Sequence, residues 1–569
     1  MHVLGIAGYN HDAAAALMRD GELVAAAEEE RFTRIKHQDG FPYRAIQYCL
    51  KEAEVQESSV DYVVYANNLW GNFGKMLAYA KSFHEAPVYT TGFALRDLYT
   101  RMWITFLMRM LSNTGGGGPR LRFVDHHLAH MGSSFFVSPF ESAAVLSIDS
   151  LGDGDTTVLG HGEGQRLKKL SRVNYPHSIA EMYCCVTNYL GFRTQDEYKV
   201  MGLASYGEAR YLERLRRLVR FLDKGRYRID TRYFQTHRRP GRFLGYVSRR
   251  FIDEFGPMRR EDARIEQRHK DMAASLQKLF EETVFHCLRA LHRMTGEKRL
   301  CLCGGAAQNS VMNGKILLET PFQEIYVPPA PGDSGGSIGA ASYFSYGVLQ
   351  QRRGFVMRTA DWGPSFSETQ IKAVLDESKS RYSRSEDVAA DAAALLAKGY
   401  IVGWYQGRME FGPRALGARS ILADPTRPNM TDIVNRDVKH REDFRPFAPS
   451  VLREYVDEYF FGHHEAPFMS YVWGVRPDKA AAIPAVVHID KTARVQTVER
   501  DDNALYWEVI KRFEKLKGVP VVLNTSFNVK GEPIVCTPRD AVRCFFSTGL
   551  DCLVIGPFVL KKEVLRATG

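Results

Sequence analysis

Three histidines crowd one short stretch, VDHHLAHMG at 124–132, in a chain that carries 17 histidines among 569 residues. His126 and His130 are four apart. On a helix that spacing stacks two imidazoles one turn apart on one face, where both can reach a single metal ion. His127 stands where a zinc protease of this spacing carries its general-base glutamate, so a hydrolase built on the motif lacks its base. A carboxylate follows at the end of an apolar strand, Asp149 in LSIDS. Histidine with carboxylate suits iron, manganese or zinc and does not choose among them. The bland alternative is a set of part-buried histidines bonded to backbone.

A second group of residues points to anions. EFGPRALGARS offers Arg414 and Arg419, NRDVKHREDFRPFAPS offers Lys439 and Arg445, TARVQTV offers Arg494, and VVLNTSFNVKGEPIV sets Asn524 and Ser526 after an apolar strand. Arginine's planar fork grips phosphate oxygens in pairs, and several converging forks hold a polyanion. Each alone reads as a solvated charge. Their setting in Gly/Pro-bounded loops after apolar strands argues for convergence. Two further loops run strand–glycine–helix: RLCLCGGAAQNSVMNGK, with Gly304 and Gly305, and IYVPPAPGDSGGSIGAAS, with Asp333. Such turns let backbone approach a ligand closely and offer it the free N–H groups of a helix start.

The elements that must position these residues read as α/β. HVLGIAGYNHDAAAALMRDGELVAAAEEE is strand, turn, strand, with Asp20-Gly21 as a turn signal. A similar unit returns at SAAVLSIDSLGDGDTTVLGHGEGQRLKKLSR, which suggests a duplicated α/β domain of the kind shared by actin and sugar kinases. Residues 350–367 read as a linker with a boundary near 355, after which helix and strand patterns begin afresh. The chain is too long for one core. CLC at Cys301 and Cys303 lacks a second pair at finger spacing and reads as buried strand. Nine scattered cysteines do not suggest a disulfide framework, and with no signal-peptide pattern at the start the expected compartment is cytoplasmic. MWITFLMRML is short and carries arginine, so it reads as a helix that does not span a membrane. The net charge of +10 and pI near 9.0 permit an anionic ligand or nucleic acid without demanding either. Much of the excess lies in the Arg-rich segment 226–260, read as a solvated insertion with a small apolar face, against a nucleic-acid surface.

Taken together, EEERFTRIKH, DHHLAH, YKVMGLASYG, GGAAQNSVMNGK, GPRALGARS, RPFAPS and LNTSFN..GEPIV resemble the O-carbamoyltransferases of antibiotic and nodulation-factor biosynthesis, from residue 3 to about 558. The resemblance implies an α/β chain with an N-terminal duplicated actin-like ATPase domain, 1–355, similar to the transferase that makes threonylcarbamoyl-adenosine in tRNA. It implies a C-terminal YrdC-like domain, 356–569. It also implies that ATP and carbamoyl phosphate become carbamoyl-adenylate in the second domain, and that the carbamoyl group then passes in the first to a hydroxyl of a small-molecule natural product. By the same resemblance the metal ligands fall on His126, His130, Asp149 and Asp333, with Fe(II) the expected ion and Mn or Zn the alternatives, and His127 is a spare. His11, in GYNHDAA, falls on the acceptor-activating base. Lys36 matches a basic position tied to carbamoyl phosphate. Gly304, Gly305 and Asn309 match the nucleotide-holding loop. Arg414, Lys439, Arg445, Arg494, Asn524 and Ser526 match the pocket for ATP and carbamoyl phosphate. The segment 70–118, ending in GGGG, and the Arg-rich insertion match no motif of the family, so the acceptor stays open, as does a homodimer. A tRNA-modifying enzyme, a kinase-like nucleotide binder and a metalloprotease are the competing readings.

Overall fold

The computed structural model describes residues 1–8, 11–68, 119–235, 246–462 and 464–562, together with positions 102, 103 and 106. The chain divides into two compact units. Unit 1 comprises Met1–Ala26 and Asp39–Met357; unit 2 comprises Ala27–Gln38 and Arg358–Gly569. The short segment Ala27–Gln38, placed by the sequence reading in the first domain, thus belongs with the second, and Lys36 goes with it.

Unit 1 holds the same strand arrangement twice. The first sheet runs β3 (Glu22–Glu28), β2 (Ala14–Arg19), β1 (His2–Ala7), β4 (Tyr62–Tyr65), β5 (Arg120–Phe123). The second runs β8 (Arg166–Asn174), β7 (Asp155–Glu163), β6 (Ser142–Gly152), β11 (Arg299–Cys303), β12 (Glu324–Tyr326). In each, an antiparallel hairpin supplies one side and two parallel strands extend the other: β1 pairs antiparallel with β2 and parallel with β4, and β6 pairs antiparallel with β7 and parallel with β11. This is the duplicated sheet of the actin-like ATPase fold, and the molecule is mixed α/β throughout. Both sheets are read from strands such as VLGIA and AAVLSI, which are buried on both faces and therefore continuous in apolar residues where period-two alternation would mark a one-sided sheet. Cys301 and Cys303 lie fully buried in β11, and all nine cysteines are free and buried.

The helices of unit 1 that bear on function are α1 (His126–Phe135), α2 (Ile179–Tyr189), α3 (Gln267–Thr295), α4 (Ser310–Glu319) and α5 (Gly336–Ser342). Asp125 caps α1 by accepting the Leu128 N–H at 3.1 Å. Between α2 and α3 lies the Arg-rich insertion. Its described part is a small folded element: β9 (Val219–Phe221) pairs with β10 (Tyr227–Ile229), and Phe234, Phe251 and Phe255 are buried. Arg232, Arg249 and Arg260 pair with Asp230, Asp253 and Asp262, while Arg250 lies over the Tyr233 ring. Residues 236–245 lie outside the described residues, as does the 70–118 stretch with its GGGG, apart from 102, 103 and 106. Among the described residues no helix is long and apolar enough to cross a membrane.

Unit 2 is built on a nine-stranded mixed sheet in the order β13 (Ser383–Arg384), β21 (Phe558–Lys561), β20 (Cys552–Ile555), β14 (Val402–Tyr405), β15 (Arg419–Ala423), β19 (Val521–Ser526), β16 (Ala448–Leu452), β18 (Thr492–Val498), β17 (Tyr471–Gly474). Helices α6 (Val388–Ala397) and α7 (Ala504–Lys517) cover it, and Leu396, Trp404, Val509, Ile510 and Phe513 form the core between them. The inserted segment packs into the same unit. Phe32 sits against Met409, Ala415, Ile534 and Cys536. Arg31 is buried, pairs with Glu28 at 3.2 Å and donates to the Gly412 carbonyl at 2.7 Å. Arg34 donates to the carbonyls of Ile534 and Pro533 at 2.6 and 2.7 Å.

Candidate functional site

In unit 1 the two histidines four apart on α1 do share a face. Their Nε2 atoms point at one spot and stand 2.9 Å apart. Asp149, from β6, brings Oδ2 to 3.2 Å from His130 Nε2 and 4.0 Å from His126 Nε2. Asp333, from the turn before α5, brings Oδ1 to 3.4 and 3.7 Å from the same two atoms. The four ligand atoms all lie within 4.8 Å of one another. Donors about 2.0–2.2 Å from a shared ion would stand roughly 3–3.5 Å apart, so the spacing fits a metal. The donor set of two neutral imidazoles and two carboxylates suits Fe, Mn or Zn. Two facing ring nitrogens at this distance otherwise need a proton between them.

The approach of α5 to α1 delivers Asp333. A Cβ on Gly339 of α5 would lie 1.7 Å from the Ala129 carbonyl of α1, and one on Gly132 would lie 2.7 Å from the Gly339 carbonyl. Only side-chain-free positions let the two backbones meet so closely. Asp149 is oriented in turn by the Gly305 N–H, 2.9 Å from its Oδ2. Burial works against its charge, yet His126 and His130 hold its carboxyl well below the usual range. His127 points away: it is fully buried, its Nδ1 is 2.8 Å from Ser147 Oγ, and burial together with the neighbouring His126 and His130 pushes it down to about 3. It is a neutral structural residue, as its spare position implied.

His11 stands beside the cluster, with Nε2 3.6 Å from Asp333 Oδ2 and Nδ1 3.0 Å from Asp12 Oδ2. Burial disfavours its charged form, but Asp333, Asp12 and Asp149 outweigh burial and push it up to about 10. The ring is 42 % exposed, which tempers the effect. An acceptor-activating base, the role the family resemblance gives His11, needs a neutral imidazole, and these carboxylates favour the charged one when nothing offsets their charge. Asn309 caps α4 by accepting the Met312 N–H at 3.0 Å and exchanges hydrogen bonds with Gln277 of α3 at 2.9 and 3.1 Å. Its side chain is committed to holding the glycine loop in place.

In unit 2 Arg494 lies near Arg414, Arg441 and Arg445, and Lys439 near Arg441, Arg445 and Lys36. Arg494 lies on β18, Asn524 and Ser526 on β19, Arg414 on the loop between β14 and β15, and Lys439 and Arg445 on the segment before β16. Burial and the like charges of Arg414, Arg441 and Arg445 push Arg494 well below the usual arginine range. Its Nε is buried without a hydrogen-bond partner. Lys439 is pushed down by burial, Arg441, Arg445 and Lys36, and its Nζ lies 3.4 Å from Ser526 Oγ and 2.8 Å from Asn528 Oδ1. Glu442 stands 3.7 Å from Arg445, and buried cations crowded in this way are stabilised further by a bound anion. Arg441 belongs to this group, its guanidinium over the Phe447 ring, although only its place between Lys439 and Arg445 could have announced it. Asn524 is fully buried, with its amide nitrogen shared among Ala415 O, Ser450 Oγ and Gln496 Oε1. It supports the pocket from beneath. Arg419 is likewise fully buried, bonded to the carbonyls of Gln406, Gly407 and Pro364.

Comparison with known sequences follows this division. Residues 2–342 match the family described as Carbamoyltransferase N-terminus, and residues 393–562 match Carbamoyltransferase C-terminus. The chain belongs to the carbamoyltransferase family. This carbamoyltransferase is 40% identical over 571 residues to nodulation protein NolNO of Sinorhizobium fredii, covering 98% of this chain and 79% of that one. It is also 40% identical to an uncharacterized protein of Synechocystis, covering 99% and 97%. Nodulation protein U of Sinorhizobium fredii is 29% identical, with 96% of each chain covered.

Proposed function

We propose that this carbamoyltransferase activates its carbamoyl group as an adenylate in unit 2 and transfers it to a hydroxyl of a small-molecule acceptor in unit 1. The observation that carries the reading is that one chain holds both a group of buried, mutually crowded cations and an imidazole–carboxylate cluster. The pocket of Arg414, Arg441, Arg445, Arg494 and Lys439 suits the combined charge of ATP and carbamoyl phosphate. There water hydrolyses carbamoyl phosphate to carbamate and inorganic phosphate, a carbamate oxygen attacks the α-phosphorus of ATP, the bond from that phosphorus to the bridging β-phosphate oxygen breaks, and pyrophosphate leaves. Carbamate is a poor electrophile, and joining it to AMP supplies the leaving group.

In unit 1, His126, His130, Asp149 and Asp333 would hold a divalent ion, with Fe(II) the family's expectation and Mn or Zn compatible with the same donors. Bound there, the ion supplies positive charge that offsets phosphate and the carboxylates beside His11. With those carboxylates offset, His11 returns toward the neutral imidazole that can take the acceptor's hydroxyl proton. The acceptor oxygen attacks the carbamoyl carbon and AMP departs. Arg232 and Arg249 of the insertion are paired with aspartates and Arg250 is stacked on Tyr233, which does not favour a tRNA surface.

The test uses purified protein with ATP, carbamoyl phosphate and Fe(II) or Mn(II), with pyrophosphate release and carbamoyl-adenylate followed together, the latter by mass spectrometry. Both should appear. Their absence even with pooled hydroxylated acceptors present would exclude the adenylate route.

A further inference from the structure

The turn that carries Arg414 has no regular secondary structure to hold it, yet many of its backbone groups from 412 to 419 are bonded to buried side chains. The N–H groups of Leu416, Ala418 and Arg419 all donate to one oxygen, Oε1 of Glu410, at 2.7, 2.8 and 3.1 Å. Glu410 is 3 % exposed, and its other oxygen is buried with no hydrogen-bond partner. The carbonyls of the same turn face three more buried donors: Ala415 O accepts from Asn524 at 3.2 Å, Leu416 O from Gln496 at 2.7 Å, and Gly417 O from the Trp404 indole at 2.8 Å. Gly417 itself has φ +111°, and a Cβ there would lie 2.4 Å from the Tyr506 ring. Charged side chains hold its two ends as well: Glu28 accepts the Gly412 N–H at 2.8 Å, Arg31 donates to the Gly412 carbonyl at 2.7 Å, and Arg419 donates to the Ala418 carbonyl at 3.1 Å, but only Glu410 gathers three N–H groups of 416–419 on one oxygen.

We infer that Glu410 is a positioning residue for the anion pocket: its carboxylate is the template on which 416–419 fold, and so fixes where Arg414 stands. The inference rests on the reading of this pocket as the site of ATP. Three N–H groups directed at one oxygen call for an ionised acceptor, since charge-assisted bonds are roughly twice as strong as neutral ones. Glutamine would keep the shape but weaken all three bonds. The turn would then relax, and a cation held by a relaxed turn loses its fixed distance to the other guanidinium groups.

A residue that merely stabilises unit 2 and a residue that acts through Arg414 differ in one measurement. ATP binding is determined by calorimetry for the wild type, E410Q, R414A and E410Q/R414A, at a temperature where circular dichroism shows all four folded. Glu410→Gln should weaken ATP binding about ten-fold in the wild-type background, and by less than about two-fold once Arg414 is already alanine. Equal losses in both backgrounds, or no loss in either, would overturn the inference. Should E410Q prove unstable, Glu410→Asp, which keeps the charge and shortens the reach, takes its place in the same cycle. A wild-type protein that binds no ATP sinks the pocket reading first and is seen before any variant is compared.

Discussion

His130 is the most enclosed member of the unit 1 cluster, 1 % exposed, with Nδ1 buried and without a partner and Nε2 directed at His126, Asp149 and Asp333. His130→Ala should lower metal affinity by more than the roughly 10–100-fold that outer partners of a ligand typically cost. Metal content after gel filtration checks this, and full occupancy in the variant would remove His130 from the ligand set. The pair itself could be read from the sequence, because i, i+4 on a helix is a local geometry. Asp333 could not be read from pattern: a close helix crossing brings it in, and no sequence spacing records that crossing. Asn309 and Asn524 show the opposite limit. The family resemblance placed them in the sites, and the fold adds that each side chain also bonds its own surroundings, Asn309 with Gln277 and Asn524 with Gln496.

At the scale of elements, α1 and α5 meet through Gly132 and Gly339, and the second of these admits no Cβ without moving the Ala129 carbonyl. Gly339→Ala should cost about 1–3 kcal/mol, the usual range for overpacking, and should also displace Asp333 from the cluster. A thermal melt together with metal content tests it; a variant that loses stability but keeps its metal would separate the crossing from the cluster. The long helix α3 carries a pH-sensitive cap. His269 accepts the Glu266 N–H at Nδ1, 2.9 Å away, so that nitrogen must stay unprotonated, and burial with Arg268 nearby pushes the ring down to about 4 from 6.5. The unfolded chain then binds the proton first. Stability from this residue is complete above pH about 6.5 and is lost as pH falls toward about 4, at up to ~1.4 kcal/mol per unit. His269→Gln keeps the cap acceptor and should flatten the slope in pH-dependent denaturation curves. The duplicated sheets were visible in sequence because strand–turn–strand runs are local; the nine-strand order of unit 2 was not, because its neighbours come from distant segments.

At the scale of the whole molecule, unit 2 is not a continuous stretch of chain. Phe32, Arg31 and Arg34, from Ala27–Gln38, close one of its apolar clusters and satisfy the carbonyls of Gly412, Pro533 and Ile534. A fragment of residues 358–569 should therefore be less soluble and melt lower than the same fragment with 27–38 fused to it. Circular dichroism melts of the two decide this, and equal stability would show the segment to be dispensable. The same discontinuity has a consequence for synthesis. Ala27–Gln38 leaves the ribosome long before Arg358 is made, and at about 5–20 residues per second the delay is on the order of tens of seconds. Through that interval Phe32 lacks the cluster it packs into, and Arg31 and Arg34 lack the carbonyls they bond, so the completion of unit 2 is timed by the end of translation.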